Sequence, residues 1–174
     1  ELYQPVSVLS GADLVEQLEM SLGDTLANQA GVSSSYFGPG SGRPIIRGLS
    51  GDRVRVLQDG IGSGDASNTS PDHAVSIDPL SAERIEIARG PATLLYGSSA
   101  IGGAVNILSN AIAEAMPSSP ITRDLLLRGG SVADEKSGSL KLDGRAGSRV
   151  AWHLEGFARD TDDYDIPDDA VIGE

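Results

Sequence analysis

The segment from Glu83 to Leu108, ERIEIARGPATLLYGSSAIGGAVNIL, leaves the chain the fewest ways to fold. Ile85 and Ile87 alternate with Arg84, Glu86 and Ala88, the period-two pattern of a strand with two unlike faces. Gly90 and Pro91 must stop that strand, because proline lacks the amide donor a ladder needs and glycine opens positive φ. Ala92 to Tyr96 has room for one helical turn before Gly97 ends it. A second strand is expected over Gly103 to Leu108, entered through the glycine corner at Ile101, Gly102 and Gly103.

The residues upstream are punctuated in the same way. Val6 to Leu9 reads as a short strand, and Ser10 to Asp13 supplies capping residues for a helix to about Met20, with Leu14, Val15 and Leu18 on one face. A second short helix is expected from Leu22 to Gln29, closed by Gly31. Val32 to Tyr36, Arg43 to Arg47 and Arg53 to Gln58 read as strands, and Gly62 to Pro71 as an exposed, turn-rich loop. Asp78 and Pro79 mark a turn into a short helical turn. Neither glycine cluster cradles a phosphate. A Walker loop needs a lysine that the Gly38–Gly42 region lacks, the first being Lys136, and Gly60–Gly64 lacks the third glycine of a dinucleotide turn.

After Asn110 the pattern changes. Ala111 to Pro120, with two prolines, reads as a linker. Leu140, Leu142, Gly144 and Ala146 then alternate with Ser139, Lys141, Asp143 and Arg145. Beyond a turn at Gly147 and Ser148, Val150, Trp152, Leu154, Gly156 and Ala158 alternate with Arg149, His153, Glu155 and Arg159. Two strands of about ten residues with an apolar outer face are the pattern of a transmembrane β-hairpin, though a water-facing hairpin alternates too. Ile121 to Gly130 is a further strand candidate. Three strands cannot close a barrel, since large plugged transporters use about 22. The expectation is a truncated form or a larger assembly that supplies the rest. No run of 18 apolar residues exists for a transmembrane helix, and no signal peptide opens the chain, as expected of a mature or trimmed form.

Composition narrows the function classes. With 13 Lys and Arg against 25 Asp and Glu the formal charge is −12, which opposes binding to nucleic acid phosphates. Aromatics at 4% and 22 glycines suit a loop-rich α+β domain. No cysteine is present, which removes disulfides and thiolate metal sites. Two histidines in unrelated contexts assemble no nucleophile–base pair, so an enzyme is not expected.

Three ordered motifs now carry a resemblance. ERIEIARGPATLLYGSSAIGGAVNIL, with the upstream Pro44-Ile-Ile-Arg-Gly-Leu49 and Val54-Arg-Val-Leu-Gln-Asp-Gly60, resembles the plug of TonB-dependent outer-membrane receptors. Ser70-Pro-Asp-His-Ala-Val-Ser-Ile77 is most similar to the zinc-uptake members of that family. The resemblance implies an α+β fold: a plug with a small mixed sheet and short helices at 1–110, a linker at 111–120, and the first antiparallel strands of a transmembrane β-barrel with the start of an extracellular loop at 121–174. It also implies residence in the Gram-negative outer membrane. The implied partners are TonB, its inner-membrane energising complex, and a metal ion or metal chelate. Zinc is the implied cargo, and no catalytic cofactor is expected. A ferric siderophore or haem is the same-class alternative, and a soluble acidic binding module without transport the different-class one.

The resemblance further carries the zinc ligands onto Asp72 and His73, an imidazole beside a carboxylate in a loop. A transport site is expected to be incomplete in the plug, with further ligands from the barrel wall. In the resembling family, arginines placed like Arg47, Arg84 and Arg89 pair with barrel glutamates and hold the plug. The family's energy-coupling segment should precede the plug, and none is identified in Glu1 to Val8. His153 reads as lumen-facing. The acidic run from Asp160 to Asp169 reads as a solvated loop, or as a weak funnel for divalent cations.

Overall fold

A computed structural model describes residues 6–38, 40–70, 72–113 and 115–163. The opening Glu1 to Pro5, Pro71, the acidic run from Tyr164 onward and the start of an extracellular loop there lie outside the described residues. The chain separates into two compact units, Glu1–Ile112 and Ala113–Glu174.

The first unit is built on a five-stranded mixed sheet of β1 (Val6–Ser10), β4 (Val54–Gln58), β5 (Ile61–Gly62), β6 (Arg84–Ala88) and β7 (Gly103–Leu108), in the order β1-β6-β7-β4-β5. β6 pairs antiparallel with β7, Ile85 opposite Ile107 and Ile87 opposite Val105, while β4 and β7 run parallel. These four apolar side chains are fully buried, as the alternation in β6 requires. The link between β6 and β7 is a 3₁₀ turn, Gly90–Tyr96, with Gly90 at φ 68 and Gly97 at φ 110 where glycine alone is unstrained. The expected strand, turn and strand are all present, the turn beginning two residues before the expected Ala92.

A small antiparallel pair, β2 (Val32–Ser34) and β3 (Pro44–Ile46), packs with two short helices, α1 (Gly11–Gln17) and α2 (Leu22–Leu26). Both helices stop earlier than periodicity alone predicts. The chain leaves helical geometry at Leu18, whose ψ is 126, so that Leu18 and Leu22 can both enter the core. Ser21 then caps the second helix by accepting from the Asp24 amide at 3.1 Å. Ser10 sits at the first helix's N-cap position but makes no side-chain capping bond. β2 and β3 are shorter than the expected strands, and Arg53 belongs to a 3₁₀ turn, Gly51–Arg53, ahead of β4.

The second unit is a three-stranded antiparallel sheet ordered β10-β9-β8: β8 (Ile121–Gly129), β9 (Lys136–Ala146) and β10 (Val150–Asp160). Leu154 lies opposite Leu142 and Trp152 opposite Gly144. Leu125 and Leu127 of β8, Leu140 and Leu154 share this face and are exposed, Leu127 by 76%. A glycine at 144 is required because a Cβ there would run into the Trp152 ring and the Pro120 carbonyl. No described helix is long and apolar enough to cross a membrane, which leaves crossing by strands untouched. Plug-type mixed sheet with few short helices, then antiparallel strands, is the fold class the sequence led us to expect.

Candidate functional site

The loop between β5 and the 3₁₀ turn Pro79–Ser81 carries the residues singled out for metal binding. Asp65 is its fixed point. Asp65 Oδ1 accepts from the Ser67 amide at 3.1 Å and the Ser67 hydroxyl at 2.5 Å. Its Oδ2 accepts from the Ser76 amide and hydroxyl, each at 2.9 Å. One carboxylate thus ties together both ends of the segment 66–75. Burial pushes the Asp65 carboxyl upward, but the hydrogen bonds from Ser67 and Ser76 outweigh it and hold the group below the usual carboxylate range. Ser67, expected in an exposed loop, is 2% exposed and forms the buried floor of the turn Ala66–Asn68. Arg43 feels the charges of Asp65 and Asp52. Burial lowers its pKa, and the two carboxylates act against that.

Asp72 and His73 stand at the outer part of this loop, with side chains 64% and 57% exposed. The His73 amide donates to the Ser70 carbonyl at 3.3 Å, which closes a turn. Asp72 Oδ1 receives the Ser70 hydroxyl and lies 3.1 Å from His73 Nδ1. The Ser70 hydroxyl, followed by the imidazole, keeps the Asp72 carboxyl below its usual range. Where the Nδ1 of such a pair carries the proton, Nε2 is left as an acceptor, the form in which histidine meets a metal. Among the described residues no group of three or more His, Asp or Glu side chains assembles to hold an ion. The sequence singled out Asp72 and His73 and passed over Asp65 and Ser76. The spacing Asp65-Ala66-Ser67, an aspartate two residues before a hydroxyl, was the available signal for a side-chain turn.

The three arginines of the motif strands sit in different surroundings. Arg84 pairs with Glu86 at 3.1 Å on the surface. Arg47 holds a left-handed backbone, φ 53, and its amide donates to the Gly31 carbonyl at 3.0 Å. Arg89 is 8% exposed, and its Nη1 donates to the Ser7 hydroxyl at 2.7 Å. Burial, and then the nearby charge of Arg47, lower its pKa. Its Nε and Nη2 are buried without a hydrogen-bond acceptor among the described residues.

In the second unit, His153 Nδ1 lies 2.7 Å from Asp143 Oδ1 and its Nε2 lies 3.6 Å from Glu155. Both ring nitrogens therefore face carboxylates on the polar side of the sheet, and neither is aimed at a shared ligand position. Glu135, 2% exposed, is held between Arg128 at 3.0 Å and Arg159 at 3.2 Å and accepts from the Ser137 hydroxyl. These two groups serve the sheet's own cohesion.

Comparison with known proteins adds three findings. Residues 1–104 match the family model for the TonB-dependent receptor plug domain. A hemin receptor of Yersinia pestis is 35% identical over 101 residues, which is 58% of this chain and 15% of the receptor. The chain therefore spans about 15% of the length of the curated relatives it matches. Among solved structures, the ferric enterobactin receptor of Pseudomonas aeruginosa superposes with a TM-score of 0.73 at 21% identity, over 94% of this chain and 25% of that one. A siderophore receptor of the same organism gives 0.65 at 25% identity, over 94% and 30%.

Proposed function

Because the chain belongs to the TonB-dependent receptor plug domain family, we propose that it supplies the plug and first barrel strands of a receptor importing a metal-bearing nutrient. The observation that carries this reading is the order of the two units: a plug-type mixed sheet, then antiparallel strands with one exposed apolar face. That face belongs in lipid, and the chain is an outer-membrane protein of the Gram-negative type. It is not an enzyme; the relatives it matches are receptors. TonB and the inner-membrane complex supply the energy in this reading. Arg47, Arg84 and Arg89 anchor the plug through carboxylates of the rest of the receptor, with the unpaired Arg89 donors as the main support.

The relatives named hemin receptor and the siderophore receptors of similar fold favour haem or a ferric siderophore as cargo. A second reading, zinc, is favoured by one specific observation, the exposed pair of His73 and Asp72 with imidazole and carboxylate 3.1 Å apart. Nitrogen ligation selects against calcium and magnesium. In either reading the plug contributes part of the site and the rest of the receptor completes it.

The test is uptake by the full-length receptor in cells limited in turn for zinc, haem iron and siderophore iron, with the parent and His73→Ala. Loss of zinc-limited growth in His73→Ala, at unchanged folded receptor, supports zinc. Unchanged zinc uptake with receptor-dependent use of haem or siderophore supports the chelate. If deleting the receptor impairs none of the three, the transport reading fails.

A further inference from the structure

We propose that Asp65 is a positioning residue for cargo capture, clamping the segment 66–75 so that Asp72 and His73 are presented in one fixed arrangement. The proposal rests on the reading that this pair meets the cargo. Three observations carry it. Both oxygens of one carboxylate are used, Oδ1 on Ser67 and Oδ2 on Ser76, so the two ends of the loop converge on a single group. The clamp also stands on a firm base, since Ser67 is only 2% exposed and both its hydroxyl and its amide are held by Asp65. And the loop between the clamped ends is built from turns that lead to the pair. The Thr69 and Ser70 amides donate to the Ala66 carbonyl, and the His73 amide to the Ser70 carbonyl.

The physical consequence is preorganisation. Asp72 and His73 are more than half exposed, so packing does little to fix them. Without the clamp the segment becomes an open polar loop whose ordering must accompany binding, and affinity falls by that cost. The chemistry at His73 Nε2 is unchanged by this; only the fraction of time the pair spends in the receptive arrangement differs. Asp65 touches no cargo and acts wholly through the loop.

Asp65→Asn separates the two roles of the carboxylate. An amide keeps one acceptor oxygen but places an NH₂ donor where the other end of the loop also donates, so one end is released. The experiment uses the full-length receptor in its outer membrane, with free zinc ion and haem each supplied as probe. The parent, Asp65→Asn, His73→Ala and the double variant are compared for half-saturating concentration and maximal uptake. Hydrogen exchange of residues 66–76 is read on the same samples.

The expected result is faster exchange in Asp65→Asn and a half-saturating concentration raised about tenfold, the low end of what losing a group that orients a metal ligand brings. Maximal uptake and the amount of folded receptor stay unchanged. His73→Ala added to Asp65→Asn should then cost no more than His73→Ala alone. Uptake impaired by His73→Ala but not by Asp65→Asn overturns the positioning role and leaves the cargo reading standing. Fully additive effects overturn it as well, because Asp65 would then act apart from His73. If His73→Ala changes uptake of neither probe, the cargo reading fails and this assignment falls with it. Should Asp65→Asn reduce folded receptor, Ser76→Ala and Ser67→Ala, each of which removes one hydroxyl from the clamp, must raise the half-saturating concentration in the same direction, and no change in both refutes it.

Discussion

Gly103→Ala tests a close packing contact inside the plug. A Cβ built at 103 would lie 2.6 Å from Ile46 Cδ1, 3.1 Å from Ile46 Cγ2 and 3.2 Å from the Ala88 carbonyl oxygen. Ile46 is fully buried, and Gly103 opens β7, the strand paired with both β6 and β4, so neither side can yield by moving into solvent. Inserting a methyl into such a core costs about 1–3 kcal/mol, against which alanine recovers about 0.4–1 kcal/mol through a less flexible unfolded chain. The net expected loss is about 1–2 kcal/mol, or roughly a tenfold faster opening-limited exchange per 1.4 kcal/mol. Hydrogen exchange of Val105 and Ile107, both fully buried, should report it in the full-length receptor. Ile46→Val removes the nearest carbon, Cδ1, so the pair Gly103→Ala with Ile46→Val should exchange more slowly than the sum of the single changes predicts. Unchanged exchange in Gly103→Ala, or strict additivity in the pair, would refute the claim that β7 and β3 touch here.

Two further outcomes follow from other parts of the chain. Leu127→Arg, on the exposed apolar face of β8, should cost about 2–4 kcal/mol of membrane stability if that face meets lipid near the midplane. Thr122→Arg, on the opposite face, should be tolerated, and folded receptor recovered from outer membranes separates the two. Asp65 gives a pH prediction. Its folded pKa lies below the unfolded value, so its contribution is fully present above about pH 3.9, the ordinary aspartate value, and is lost as pH falls through the folded pKa. Protection of the Ser67 and Ser76 amides, corrected for intrinsic exchange, should therefore persist at pH 5, and its loss between pH 7 and 5 would show that another group closes the loop.

What could be read from sequence followed the range of the forces involved. β6 and β7 were legible because alternation, proline and glycine act within a few residues: Ile85 and Ile87 point inward, and Gly90 takes the positive φ that its place before Pro91 implied. The parallel pairing of β4 with β7 was not, because no local signal says that Val56 faces Val105 across the chain. Helix ends failed for a related reason. The two helices were expected to reach Met20 and Gln29 but end at Gln17 and Leu26, because the chain turns at Leu18 to bury both Leu18 and Leu22, a tertiary outcome that overrode the periodic one. Arg89 was read as one of three alike arginines, whereas its burial beside Ser7 sets it apart from the exposed Arg84.

The loop shows where composition misleads. Gly62 to Pro71 is polar throughout, and polarity was taken as exposure, yet Ser67 is among the most buried side chains in the chain. A small hydroxyl can be buried at little cost when its donor is satisfied, and here Asp65 satisfies both the hydroxyl and the amide of Ser67. The second half of the clamp lies eleven residues further on, at Ser76, with no periodicity or glycine signal to mark it. Residue identity alone therefore singled out Asp72 and His73, but not the carboxylate that hydrogen-bonds both Ser67 and Ser76. A hydrogen-bonded anchor between two short polar side chains leaves no pattern in sequence, because many other aspartates and serines of this chain could have made the same bonds. Only the fold selects Asp65 for them, by bringing the 3₁₀ turn at Gly51–Arg53 against Ala66–Asn68, where the Asn68 carbonyl lies 3.4 Å from the Cβ position of Gly51.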